Sequence, residues 1–153
     1  MPNTDTWRRE AEELAATKPR KILFLCVQNS ARSIMAEAIA RHFAPPDVTV
    51  LSAGSNPAFV RPQAVQVLQE AGISTEGLHS KSVDQIDPAG VDAVITLCAE
   101  EVCPVFLGKA HRLHWGLSDP ARVEPEAAKL DAFRAVRDEL LKRLKVLMNY
   151  TAE

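Results

Sequence analysis

Apolar positions along this chain follow two periods: short unbroken apolar runs alternate with stretches where apolar residues recur every three or four positions. From Thr6 to Thr17, Trp7, Ala11, Leu14 and Ala15 fall on one helical face, and Pro19 stops the pattern. Lys21 to Leu25 is predicted as a first strand. Ser33 to Phe43 then reads as a helix with Ile34, Ala38 and Ile39 on one side, ending before Pro45 and Pro46. Val48 to Ser52 is a second predicted strand, and Ala53-Gly54-Ser55-Asn56-Pro57 has the turn chemistry of a loop. Pro62 to Ala71 has helical spacing through Ala64, Val65 and Leu68, with Gly72 at the C-cap. Val91 to Leu97 and Ala110 to Leu117 complete the strands. Leu130, Phe133, Val136, Leu140, Leu144 and Leu147 mark a long amphipathic helix that closes the chain. No internal repeat, low-complexity stretch or linker interrupts this order.

Strands alternating with helices predict an α/β fold: a single three-layer domain with a four-stranded parallel sheet and helices on both faces, joined by right-handed crossovers. A chain of 153 residues is enough for one domain that buries about two thirds of its unfolded surface. Ligands of such sheets bind beyond the carboxyl ends of the strands. Cys26, Cys98 and Asp119 each directly follow a predicted strand, so all three are expected at that one edge.

Composition narrows the function classes. A hydrophobic share of 46% and a charged share of 25% suit an ordinary globular domain. The net charge of −2 gives no basic field for nucleic acid. No apolar run approaches the ~20 residues that span a bilayer, and Met1 to Arg20 lacks a signal-peptide core. No membrane association and a cytoplasmic location are therefore expected. Three cysteines, an odd number, suggest reactive or buried thiols over a disulfide framework.

The strongest chemical signal is Cys26-Val27-Gln28-Asn29-Ser30-Ala31-Arg32-Ser33, set between an apolar strand and a predicted helix. A strand, a short loop and a helix N-terminus turn backbone N–H groups toward one spot, the geometry that binds a tetrahedral oxyanion. The same field favours thiolate over thiol at Cys26, and Arg32 adds a planar fork for two oxygens. A cysteine ending a strand is by default a small buried hydrophobe, and an arginine six residues on is by default a surface residue. The setting is what turns the pattern into a nucleophile inside an oxyanion cradle.

Two further groups reach the same edge. Cys98 and Cys103 enclose a short acidic stretch, with His111 and His114 downstream. Four N/S ligands suit zinc, but the cysteine spacing is loose and strand alternation turns the two histidines to opposite faces. No metal is therefore expected, and a thiol pair able to close a disulfide fits better. Asp119-Pro120, beyond Trp115-Gly116, places a carboxyl group where a leaving oxygen needs a proton; taken alone, Asp-Pro is a turn starter.

Together, Cys26 to Ser33, Leu97-Cys98 with Cys103-Pro104, and His114-Trp115-Gly116 with Asp119-Pro120-Ala121 resemble the arsenate reductases built on the low-molecular-weight protein tyrosine phosphatase fold. The resemblance covers about 21–144. It leaves 1–20 as an N-terminal helical extension to a phosphatase-like domain at 21–150. It implies that Cys26 attacks arsenic, that Val27, Gln28, Asn29, Ser30, Ala31, Arg32 and Ser33 hold the oxyanion, and that Asp119 protonates the departing oxygen. Ser33 would donate its hydroxyl to the sulfur. Cys98 and Cys103 would carry the resulting disulfide to an external thiol reductant of thioredoxin or glutaredoxin type, with no bound cofactor. Arsenate is the implied substrate, with phosphate or sulfate as competing oxyanions.

The chain also departs from this family's pattern. The stretch between Cys98 and Cys103 is short, and Ala31 stands where a cysteine is frequent. Some members hold potassium with Asn, Glu, Ser and Asp. Asn29, Glu37 and Ser52 match, but Lys81 stands at the acid position, so its ammonium is expected to replace the cation near Glu37 and Asn29. Phosphatases of this fold carry aromatic residues after the Asp-Pro, where this chain has Ala121-Arg122. Two other readings remain: a phosphatase in which Cys98 and Cys103 only protect Cys26, and a non-catalytic oxyanion- or thiol-sensing module, for which Asp119 has no use.

Overall fold

The computed structural model describes residues 6–99, 106 and 109–150. In chain order the elements are α1 (Thr6–Ala16), β1 (Lys21–Cys26), α2 (Arg32–Phe43), β2 (Thr49–Gly54), α3 (Pro62–Glu70), β3 (Ala93–Thr96), β4 (His111–His114) and α4 (Glu126–Leu147). Two 3₁₀ turns, Val83–Gln85 and Pro120–Arg122, lie in the connections. The four strands form one parallel sheet in the order β2-β1-β3-β4.

The chain steps from β1 to β2 in one direction, then to β3 and β4 in the other, and the helices of the first two connections, α2 and α3, pack into one core. Alternation along β1 shows the result. Ile22 and Phe24 join Val50, Ala93, Ile95 and Leu113 in a core with residues of all four α-helices, including Leu14, Ile39, Leu68 and Phe133. Leu23 and Leu25 point the other way, to Ala53, Val91, Val94 and Phe106, with Val83 and Ile86 packed beside them. Helices are expected on both faces, but among the described residues all four α-helices join the first core and the second face is closed by a 3₁₀ turn and loop side chains.

Element edges differ from the expected ones where long-range bonds outweigh local propensity. Strand β2 continues to Gly54, through residues that read as a turn, because Gly54 pairs with Cys26 and donates to the Lys81 carbonyl at 2.9 Å. Strand β3 is shorter than Val91 to Leu97. The Asp92 carboxylate accepts from the backbone N–H groups of Arg20 and Lys21, at 2.8 and 3.1 Å, and so ties β3's entry to β1. Helix α1 buries Trp7, Ala11, Leu14 and Ala15, the face that its spacing predicts. Its Glu10 accepts from the indole N–H of buried Trp115 at 3.3 Å. Helix α4 buries Phe133, Leu140, Leu144 and Leu147. Among the described residues no helix is long and apolar enough to cross a membrane.

Candidate active site

Cys26 ends β1 at the point where the chain departs to β2 on one side and β3 lies on the other, the switch point of the sheet. Residues 27–31 curl from there into α2. The curl is held from outside by its own carbonyls. Val27 O accepts from the Asn56 N–H at 2.8 Å, and Ser30 O from the Arg61 N–H at 2.9 Å. Gln28 O accepts from the Ala58 N–H at 3.1 Å and from the Ser80 hydroxyl at 2.9 Å. With carbonyls turned outward, the amides of the loop face the concave side. Helix α2 adds its own first-turn donors there, because its N-cap, Ala31, provides no side-chain bond to them. The result is a concavity of about 160 Å³, floored by backbone donors and the positive end of a helix.

Asn29 organises the buried side of this loop. It sits at φ 48°, a left-handed conformation that Asn tolerates better than most residues, and is fully buried. Its amide oxygen accepts from the Lys81 backbone N–H at 2.8 Å, which fixes the amide's orientation. Its nitrogen then donates to Ser33 Oγ at 2.7 Å and to Ser52 Oγ at 2.9 Å. Ser52 directs its own proton to the buried carboxylate of Glu37. Ser33 Oγ accepts from Asn29 and is hydrogen-bonded to Cys26 Sγ, 2.8 Å away; against a thiolate, which can only accept, Ser33 is the donor. Asn29 thus donates toward both serines, and the series ends at the Cys26 sulfur on one side and at Glu37 on the other.

Glu37 is 1% exposed and is compensated on two sides, by Lys81 Nζ at 3.4 Å and Arg41 Nη2 at 2.5 Å. A buried carboxylate persists only with such partners. Lys81 thus brings its ammonium to Glu37 and to the His79 carbonyl at 2.8 Å, while its backbone N–H, not its ammonium, meets Asn29.

Arg32, 4% exposed, donates through Nη1 to the Leu117 carbonyl at 2.9 Å and approaches that of Leu97 at 3.5 Å. Its Nη2 lies 3.9 Å from Asp119 Oδ2. One guanidinium thus joins the loop to the ends of β3 and β4. Asp119 accepts from the Ala121 N–H at 3.0 Å, faces Arg122 Nε at 3.9 Å, and lines the same concavity as Cys26. The structure brings Cys26, Val27, Gln28, Ser30, Ala31, Arg32 and Asp119 to one cavity wall, with Asn29, Ser33, Glu37, Ser52 and Lys81 behind it. Cys98, 1% exposed, follows β3 and is disulfide-bonded, whereas Cys26 is a free thiol. Cys103 lies outside the described residues.

Sequence reasoning missed two members of the site. Gly54 is one: a Cβ there would stand 2.3 Å from Val27 O and 2.9 Å from the Asn29 nitrogen, so only glycine lets the loop lie against β2. Arg61, on the cavity wall, is the other. No local pattern signals either of them; both depend on how the 54–61 segment wraps the loop.

Relatives agree with this geometry. Residues 21–153 match the family model of the low molecular weight phosphotyrosine protein phosphatases. The chain is 41% identical over 127 residues to an arsenate reductase of Halalkalibacterium halodurans, covering 81% of this chain and 91% of that one. The crystal structure of an arsenate reductase from Archaeoglobus fulgidus superimposes with a TM-score of 0.71 at 29% identity, over 83% of this chain and 98% of that one. A thioredoxin-dependent arsenate reductase of Corynebacterium glutamicum gives 0.58 at 29% identity, over 90% and 70%. With its Cys26-to-Arg32 loop at the switch point of a 2-1-3-4 parallel sheet and residues 21–153 matched by the family model, this protein belongs to the low molecular weight phosphotyrosine protein phosphatase family, together with its arsenate reductase members.

Proposed function

We propose that this chain reduces arsenate to arsenite through a three-cysteine relay. The observation that carries this reading is a free, buried Cys26 in an oxyanion cradle beside β3, with Cys98, just beyond that strand, engaged in a disulfide. Phosphoester hydrolysis uses the first feature and has no need of the second. The arsenate reductases among the relatives support the same choice.

In the relay, the loop amides and Arg32 bind arsenate, and the Cys26 thiolate attacks arsenic. One oxygen leaves as water after taking a proton from Asp119. The Cys98 thiolate, generated by prior reduction of its disulfide, then attacks Cys26 sulfur. The S–As bond pair stays on arsenic, which falls from the +5 to the +3 state and leaves as arsenite, while the two sulfurs become a disulfide. Cys103 attacks Cys98, frees Cys26 and leaves a Cys98–Cys103 disulfide for an external dithiol. The scheme needs no bound cofactor or metal. Thioredoxin is the reductant favoured by the thioredoxin-dependent relative, with a glutaredoxin-type thiol as the alternative. A cytoplasmic setting, where such thiols are kept reduced, suits the cycle. Phosphate and sulfate compete for the same donors. Lys81 takes the place of a cation beside Glu37.

The test couples arsenate turnover to NADPH loss through thioredoxin and thioredoxin reductase, with para-nitrophenyl phosphate hydrolysis in parallel. Arsenate-dependent NADPH loss that disappears in Cys98→Ser and in Cys103→Ser is the expected result. Ester hydrolysis alone, unchanged in both variants, makes the protein a phosphatase.

A further inference from the structure

Arg61 has no role in the relay, yet it forms part of the cavity wall with Cys26 and Arg32. Its backbone N–H is spent on the Ser30 carbonyl, which pins the residue to the anion loop. Its guanidinium carbon lies 4.9 Å over the ring of Phe59, which braces the plane of the fork. Its Nε is buried and has no hydrogen-bond partner. Buried donors are almost always satisfied, so an unpartnered Nε marks a guanidinium that no bond within the protein holds at that atom. The other such atom among the described residues, Gln63 Oε1, is an acceptor on a residue off the cavity wall, and the two are not bonded to each other.

The charge of the cavity points the same way. Arg32, Arg61 and Arg122 line it against one carboxylate, Asp119, although the whole chain carries a net charge of −2. Arg32 is committed to the Leu97 and Leu117 carbonyls and to Asp119. Arg122 is 70% exposed and faces Asp119. Arg61 is the one of the three with a buried donor that no group of the protein satisfies.

We propose that Arg61 is a substrate-binding residue whose guanidinium donates to an oxygen of the tetrahedral oxyanion held by the 26–32 loop. The inference rests on the proposed oxyanion site but not on its redox chemistry, so it is tested with inorganic phosphate. Alkylation of Cys26 by iodoacetamide is followed on its peptide by mass spectrometry at increasing phosphate, in wild type, Arg61→Gln and Arg61→Lys. A charge-assisted bond removed from a bound anion costs roughly 10-fold or more in affinity. Arg61→Gln is therefore expected to need at least ~10-fold more phosphate for half-protection. Arg61→Lys, which keeps the charge and the stem but loses the planar fork, should need about 3-fold more or greater. Protection in each variant is referred to its own alkylation rate without phosphate. A wild-type protection constant in Arg61→Gln overturns the proposal. If Arg61→Gln does not fold, the same result in Arg61→Lys overturns it. Failure of phosphate to protect wild-type Cys26 would instead remove the oxyanion site itself.

Discussion

Replacing Gly54 by alanine adds one methyl group at the point where β2 supports the anion loop. Its Cβ would lie 2.3 Å from Val27 O and 2.9 Å from the Asn29 nitrogen. Both are backbone atoms, so no side chain can rotate away. The first distance is roughly 1 Å short of comfortable contact. Either β2 bends outward, breaking the 2.9 Å bond from Gly54 to the Lys81 carbonyl, or the loop shifts by a similar amount. Overpacking of this kind costs ~1–3 kcal/mol, which in a chain of this size lowers the thermal midpoint by about 3–10 °C. A shift of about 1 Å between Cys26 and the amides that hold its target costs ~100-fold in rate. Differential scanning fluorimetry and arsenate turnover read the two effects separately. Gly72→Ala is the control: Gly72 has φ 73°, and a methyl group there would meet no heavy atom within 4 Å. It should lose ~1 kcal/mol to backbone strain alone and turn over normally. A Gly54→Ala protein with a wild-type midpoint and turnover within about twofold of wild type would refute the close-packing argument, because an effect of this size is far below the loss that a 1 Å shift brings.

Three further outcomes follow from the same structure. Asp119→Asn should keep phosphate protection of Cys26 while arsenate turnover falls ~100-fold, the usual worth of a positioned acid; unchanged turnover would remove Asp119 from the chemistry. With the Lys81 ammonium 3.4 Å from Glu37, exchanging potassium for sodium should leave activity unchanged, and several-fold stimulation by potassium would show that the lysine does not stand in for the ion. Tyr150 donates to the Pro19 carbonyl, and burial, reinforced by Asp92, pushes its phenol up to about 12 from an ordinary 10.0. A raised phenol favours the neutral folded form. Its stabilisation is therefore complete below pH 10.0 and is lost as pH climbs toward 12. Tyr150→Phe should flatten that part of the unfolding profile, and an unaltered slope would contradict the assignment.

How far the sequence reveals the site depends on the range of the forces involved. Burial of Trp7, Ala11, Leu14 and Ala15 was legible because helical spacing alone decides it. The parallel sheet was legible because apolar runs such as 22–25 cannot face water on either side. The anion loop was legible because Cys26 and Arg32 stand at fixed places between a strand and a helix. Gly54 was not: it resembles a turn residue, and its need for the missing side chain comes from Val27, distant in sequence and reached only through strand pairing. The outward-turned carbonyls of Val27, Gln28 and Ser30 were hidden for the same reason, since their donors come from Asn56, Ala58, Arg61 and Ser80. Arg61 itself reads as an ordinary residue before Pro62. The role of Lys81 was half legible. The resemblance to potassium-holding members placed its ammonium near Glu37 and Asn29, but only the folded backbone shows that its amide N–H, and not its ammonium, meets Asn29.

That amide bond makes Asn29→Asp the sharpest test of how the site polarises sulfur. Asp is nearly isosteric with Asn and tolerates the left-handed φ of 48°, so the loop's shape should survive. The Lys81 N–H can still bond to one carboxylate oxygen. The other oxygen can only accept, where Asn29 donated to both Ser33 and Ser52 at 2.7 and 2.9 Å. Ser33 then satisfies its neighbour by turning its proton to the introduced carboxylate, and Cys26 Sγ loses the donor that stands 2.8 Å away in the wild type. The new negative charge adds direct repulsion against a thiolate. One charge-assisted bond is worth ~1.5–3 kcal/mol, so the iodoacetamide rate at neutral pH should fall ~10- to 100-fold. Ser33→Ala removes the donor without adding charge and should show the smaller part of that loss. If Asn29→Asp alkylates as fast as wild type while Ser33→Ala is also unaffected, the sulfur does not depend on this directed series of hydrogen bonds, and the loop amides with the helix N-terminus activate Cys26 alone.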